Sequence, residues 1–208
     1  MALTDLFSNV HLLLRWFHVL AGIVWLGHLY FFNFVNVPFQ GTMGADVKKS
    51  VNPQLLGRAF WWFRWGAMAT FVIGLLLFTQ LYMYQPGVGF GPSELFRANG
   101  AMTGRAVWIL FGMTLGTIMW FNVWFIIWPA QRQILPAVRD GQPVDPALPK
   151  KALKTSRLNA YLSGPMLFGM LAPSHYGGIN VVTAVVAIAL GLFAIWWAIR
   201  ISPSVGKL

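Results

Sequence analysis

The run 12-LLLRWFHVLAGIVWLGHLYFFNFV-35 outlasts the roughly 20 residues that a helix needs to cross a hydrocarbon core. Backbone polar groups find no partner in lipid, so a run this long must bond to itself as a helix. Further apolar runs recur along the chain, and their punctuation predicts five spanning helices over about 12–37, 58–84, 104–128, 156–172 and 178–201. Pro38 and Pro129 are expected to end the first and third, because proline lacks the N–H that continues a helix. A polar loop holding Gly41, Gly44, Lys48, Lys49 and Pro53 follows the first helix, and 86-PGVGFGPSE-94 follows the second. The fourth helix is interrupted by Gly164, Pro165, Gly169 and Pro173. The stretch 129-PAQRQILPAVRDGQPVDPALPKK-151 reads as a linker lying on lipid headgroups. No internal repeat stands out, so residues 1–208 are expected to form one all-α integral membrane domain, a bundle of five transmembrane helices.

Composition narrows the function. Apolar residues make up 57% of the chain and charged ones 10%, and there are 11 Trp. The first run is too long, and too poor in small residues at its end, for a removed signal peptide. The absence of cysteine excludes disulfides, thiolate ligation, iron–sulfur clusters and covalent c-type haem attachment. All five acids, Asp5, Asp46, Glu94, Asp140 and Asp145, fall outside the apolar cores. That argues against proton pumps and di-iron carboxylate proteins, which need acids inside the membrane. The net charge of +10 is assigned to membrane lipid rather than nucleic acid. Lys48, Lys49, Arg58, Arg132, Arg139, Lys150, Lys151, Lys154, Arg157, Arg200 and Lys207 fall on one side of the predicted bundle, with little beyond Arg97 and Arg105 on the other. Basic loops face the cytoplasm, which predicts the N-terminus outside and the C-terminus inside. Arg64, early in the second helix, is expected to reach the inner surface.

Polar residues inside the first span carry the functional signal. His11 and His18 are seven apart and share a helix face with Arg15 and Gly22, and Trp25 continues the stripe. Histidine can ligate haem iron, glycine one turn away leaves room for a flat macrocycle, and arginine can hold a propionate. The remaining histidine beyond the first helix, His175 in 172-APSHYGG-178, falls at the outer end of the fourth helix, at a depth similar to His18. A haem b between the two helices with His18 and His175 as axial ligands is therefore geometrically allowed, with Trp25 and Tyr176 as walls. His11 is an alternative partner or an interfacial side chain, and His175 could be a plain loop residue. His28 lies about 15 Å deeper along the axis and about 80° away, in a different environment. Asn33, Asn36, Asn122 and Asn159 fall toward the same inner half, either gluing helices or lining a second polar cavity, and gluing is favoured. Gly112 and Gly116 form a GxxxG suited to close helix packing, and Trp61, Trp62 and Trp65 suit an inner aromatic belt. Met166 and Met170 are alternative iron ligands or, more simply, packing residues.

Four stretches carry a family resemblance. The segment 15-RWFHVLAGIVWLGHLYFFNFVNVP-38 resembles the first helix of the urate hydroxylase membrane domain, the urate oxidase N-terminal family. Similar to its later segments are 59-AFWWFRWGAMATFVIGLLLF-78, 119-MWFNVWFIIWPAQRQI-134 and 160-AYLSGPMLFGMLAPSHYG-177. An intramembrane His followed by Trp–x–Gly is more distantly similar to the bacterial haem-containing protoporphyrinogen oxidase. The resemblance implies a redox protein of the bacterial inner membrane that binds haem b through His18. Longer family members carry a C-terminal cytochrome c domain, whereas this cysteine-free sequence implies an acceptor on another polypeptide or a quinone. The expected function is thus a haem b-binding electron-transfer component within or beside a larger membrane complex. A membrane enzyme oxidising urate or a porphyrinogen, and a cofactor-free accessory subunit, are the alternatives.

Overall fold

The computed structural model describes residues 5–92, 94–176 and 178–206, and it is all-α, about 80% helical. Helix α1 (Leu6–Tyr30) runs through a π-helical turn (Phe31–Asn36) straight into α2 (Val37–Thr42). Helix α3 (Ala45–Tyr82) returns antiparallel, and a two-residue ribbon, β1 (Tyr84–Gln85) with β2 (Gly89–Phe90), caps its end. Helix α4 (Gly104–Phe121) passes through a second π turn (Asn122–Ile127) into α5 (Trp128–Asp140). Helix α6 (Ala147–Leu171) ends in a 3₁₀ turn (Ala172–Ser174), and α7 (Val181–Ile201) follows.

Pro38 and Pro129 do not end their helices, and the π turns are the physical reason. A proline ring collides with the carbonyl four residues back. Each π turn ends two residues before a proline, and the residue between donates its N–H five residues back instead of four: Val37 to Phe32, Trp128 to Val123. The widened turn gives the ring room, and the helix continues. The true end of α5 is Gly141, in the left-handed conformation at φ 66° that only glycine adopts freely.

Two expected loops are also helical. Residues 45–57, with Lys48, Lys49 and Pro53, open α3, and the expected headgroup linker is helix up to Asp140 and again from Ala147. Helix α3 is therefore about 57 Å long against a hydrocarbon core of about 30 Å, so its basic first turns project beyond the apolar part. Four helical segments are long and apolar enough to cross a membrane, namely Leu6–Thr42, Ala45–Tyr82, Gly104–Asp140 and Val181–Ile201. Helix α6, with Lys150, Lys151, Lys154 and Arg157 in its first half, is not among them.

Helix α1 packs along α3, α4 along α6, and α6 along α7. The shared core joins Trp25, Leu29 and Phe32 to Phe60, Phe63 and Ala67, and to Met119, Val123, Ile127, Ala160 and Met166. Glycines set the closest crossings. A Cβ on Gly164 would stand 2.5 Å from the Gly191 carbonyl oxygen, and one on Gly169 2.9 Å from the Gly112 backbone. Gly112 and Gly116 are thus packing positions, with Met166 and Met170 laid against Gly116. Outward faces remain apolar, with Leu20, Ile23, Leu76, Phe125, Leu190 and Phe193 all exposed.

Candidate functional site

The histidine stripe of α1 forms the seam with α3. His18 is half-buried, and its Cε1 stands 3.0 Å from where a Cβ on Gly74 would be. Glycine at position 74 is what lets the imidazole approach α3 this closely, with the Thr70 backbone as a polar neighbour. Its Nδ1 is buried with no hydrogen-bond partner among the described residues. One heptad deeper, Trp25 is 3% exposed and brings its backbone 3.1 Å from a Cβ on Gly66, and its indole Nε1 also lacks a partner. Gly22 faces open space, since a Cβ there would meet nothing within 4 Å. It leaves room beside His18 without touching α3.

The end of the seam toward the N-terminus of α1 is polar as well. His11 Nε2 is buried and unpartnered, and Gln80 of α3 donates from Nε2 to the Phe7 carbonyl at 3.0 Å while its Oε1 stays unpartnered. Arg15 is exposed, and with Arg105 it brings its charge close to the buried Tyr82. Gly74, Gln80 and Tyr82 were not singled out from sequence. Gly66 and Gly74 lie eight apart on one face of α3, opposite the seven-residue spacing of His18 and Trp25. That pairing is legible only once the two helices are known to be neighbours.

The other histidines stand elsewhere. His28 donates from Nδ1 to the Val24 carbonyl at 2.7 Å, so it is satisfied within its own helix. His175 is exposed in the turn after α6, where its N–H bonds the Ala172 carbonyl at 2.9 Å. Tyr176 beside it leans on Trp108 and Phe168, with ring centroids 6.3 and 5.9 Å away. His18 thus belongs to the α1–α3 pair, and His175 and Tyr176 to the α4–α6 pair. Among the described residues no three His, Asp or Glu side chains converge as a metal-ion cluster.

A second polar layer lies deeper and is almost fully spent on itself. Asn122 donates to Asn159 Oδ1 at 2.7 Å, and Asn159 donates to the Met119 carbonyl at 2.9 Å. Asn33, in the first π turn, donates to the Leu29 carbonyl and to Ser156 Oγ, both at 2.9 Å, and Tyr30 shares a 2.9 Å bond with Ser163. These bonds tie α1 and α4 to α6. Asn36 faces a different way, accepting from Gln40, which exchanges two amide bonds with Asn52 of α3 at 2.8 and 2.9 Å.

As a haem ligand, His18 fits on chemistry and surroundings. It is a half-buried imidazole whose Nδ1 is turned to α3 beside the Thr70 backbone, which leaves Nε2 as the nitrogen that would hold an iron, with clearance at Gly22 and with Arg15 one turn toward the N-terminus. His175 fits on chemistry alone.

The family model described as urate oxidase N-terminal matches residues 92–202, just over half of the chain. The match takes in the third and fourth of the stretches quoted above, the π turn at Asn122 and the whole of α6. No curated protein and no solved structure matches the chain.

Proposed function

The chain belongs to the urate oxidase N-terminal family, and from that premise we propose that it is a membrane redox component that holds haem b on His18. The observation that carries this reading is the half-buried His18 ring, an ionisable side chain inside a long apolar helix, seated on Gly74 with Nδ1 turned to α3 beside the Thr70 backbone. In a bilayer-embedded helix such a group marks a functional position. Gly74 and the Thr70 backbone fix the plane of the imidazole, and Arg15 is placed to pair with a carboxylate at the outer surface. His175 is the second candidate ligand, and Trp25 and Tyr176 are the apolar walls of their respective helix pairs. When bound, the haem supplies a one-electron couple whose potential follows its ligands and the polarity around them.

Five spanning helices, with the N-terminus outside a bacterial cytoplasmic membrane, complete the proposal. Lys48, Lys49, Arg58, Arg132, Arg139 and the basic start of α6 gather at one end of the bundle, which the positive-inside rule assigns to the cytoplasm. Helix α6 crosses with its short apolar half, shielded from lipid by α4 and α7.

The test is an absorption spectrum of the purified chain. A reduced α-band that disappears in His18→Ala, while the melting temperature holds, is the expected result. A colourless protein that is fully inserted in the membrane overturns the reading. It would favour an accessory subunit, for which the amide layer that binds α1 and α4 to α6 already supplies the rigidity. Reduction of the band on adding urate would make the chain an enzyme in its own right.

A further inference from the structure

At the basic end of the bundle the helices border a half-open pocket of about 370 Å³. Its walls come from the first π turn and α2, the start of α3, the second π turn and α5, and the start of α6. The volume lies within the range of small-molecule sites. The lining is mostly apolar, including Phe32 and Phe60, whose rings stack at 4.3 Å. Five polar residues interrupt it: Asn36, Gln40, Asn52, Gln131 and Ser156. No lysine, arginine, histidine, aspartate or glutamate lines it, although basic residues are plentiful at this end of the bundle. An anion would find no counter-charge in the wall, so the lining selects a neutral ligand.

The hydrogen-bond inventory says which neutral ligand. Gln40 spends both amide hydrogens, on Asn36 and Asn52, and its oxygen accepts from Asn52. Asn36 therefore keeps its Nδ2 donors, and Asn52 keeps one. Ser156 Oγ accepts from Asn33 and retains its own proton to give. Around the Gln40 amide cluster the surplus is in donors, set above apolar and aromatic surface, and Gln131 of α5 adds an amide with both donors and an acceptor. The complementary molecule carries carbonyl acceptors on a flat apolar ring.

We infer that this cavity is a binding site for a quinone, its carbonyls taking hydrogen bonds from Asn36, Asn52 and Ser156. The choice of a quinone among neutral carbonyl ligands rests on the redox function proposed above, which needs a carrier soluble in the membrane. The cavity itself does not depend on that function.

The probe is tritiated decylubiquinone, titrated against the full chain in nanodiscs of phosphatidylethanolamine and phosphatidylglycerol, with empty nanodiscs subtracted. Saturable binding at one site per chain is expected. Asn52→Leu removes a donor and unpairs Gln40, and its dissociation constant should rise about tenfold, the scale of one well-made hydrogen bond. Because Asn52 is buried and that variant can fail to fold, Val138→Trp is the second arm. It places an indole in the cavity from the partly exposed side of α5 and should abolish binding with melting unchanged. Absence of saturable binding, unchanged affinity in folded Val138→Trp, or equal displacement by added phosphatidylglycerol overturns the assignment. The last outcome would mean a lipid acyl site only. A colourless preparation that still binds decylubiquinone refutes the haem and keeps the site, whereas a coloured one that does not bind refutes the site alone.

Discussion

Gly74→Ala isolates the seat of His18 from the rest of the seam. In a helix interior, replacing glycine by alanine normally gains about 0.5–1 kcal/mol, because glycine loses more backbone freedom on folding. Gly27 should show that gain in full, since a methyl there meets nothing within 4 Å. At position 74 the methyl would stand 3.0 Å from Cε1 and 3.5 Å from Nδ1 of His18, the first shorter than the ordinary contact range, which begins at 3.4 Å. The ring must yield by a few tenths of an ångström. Because it is a side chain on two rotatable bonds, the cost should fall near the low end for overpacking, about 1 kcal/mol. Gain and cost then roughly cancel. Gly74→Ala should melt close to the parent, while Gly27→Ala melts a few degrees higher, on a scale of roughly 2–4 °C per kcal/mol for a chain of this size. The spectrum should separate the two variants, with a shifted or diminished haem band in Gly74→Ala and an unaltered one in Gly27→Ala. If Gly74→Ala is stabilised as much as Gly27→Ala, the imidazole is not packed on α3. If its melting is neutral but its spectrum is unaltered, the seat is real and His18 is not the ligand.

Three further outcomes test the frame around the site. Asn159→Leu removes two bonds and strands the Asn122 amide, so it should cost about 2 kcal/mol in detergent unfolding; the double variant with Asn122→Leu should recover part of that, since coupling inside a membrane averages about 0.6 kcal/mol. Gly164→Ala should lower stability by about 1–3 kcal/mol, as its methyl meets the Gly191 carbonyl at 2.5 Å and backbone cannot swing aside; an unchanged melting temperature would mean that α7 is not held at this crossing. The chain has no cysteine, so single cysteines report topology: an impermeant maleimide on intact cells should label Val88→Cys and spare Gln142→Cys, and the reverse pattern would invert the bundle.

Apolar run length was enough to locate four long helical segments and the apolar second half of α6, because lipid leaves a long apolar segment little choice. Helix ends were not legible, for two reasons. Pro38 and Pro129 are breakers only if the helix keeps its ordinary bonding, and a π turn just upstream removes the collision. The polar residues 45–57 read as loop only if helices stop at the membrane surface, whereas α3 runs on beyond it with Pro53 inside. Arg64 illustrates a related point. It was expected to reach toward the basic end of the bundle, and the partner it meets there, the ring of Trp128 3.8 Å below its guanidinium, is presented by the helix that Pro129 failed to end. At the site, the face shared by His11, His18 and Trp25 was visible as periodicity. The glycines opposite them were not, since nothing in α1 says which helix it meets.

The distinction between structural and functional polarity in this chain rests on which atoms are spent. Burying a polar atom without a partner costs free energy, and native proteins keep few of them. The deep layer of Asn122, Asn159 and Ser163 bonds within itself and needs no ligand to account for it. His28 is likewise satisfied by its own helix. Of the seven buried side-chain atoms without a partner among the described residues, four lie on the α1–α3 seam: His11 Nε2, His18 Nδ1, Trp25 Nε1 and Gln80 Oε1. Toward these side chains α3 offers the Thr70 backbone beside His18, a glycine that lets the ring approach, and a Gln80 whose donor is turned to the Phe7 carbonyl while its Oε1 stays unpartnered. The seam therefore carries polar capacity that the fold does not consume. That unspent capacity, more than the count of histidines, is what supports the proposed site on the N-terminal half of α1.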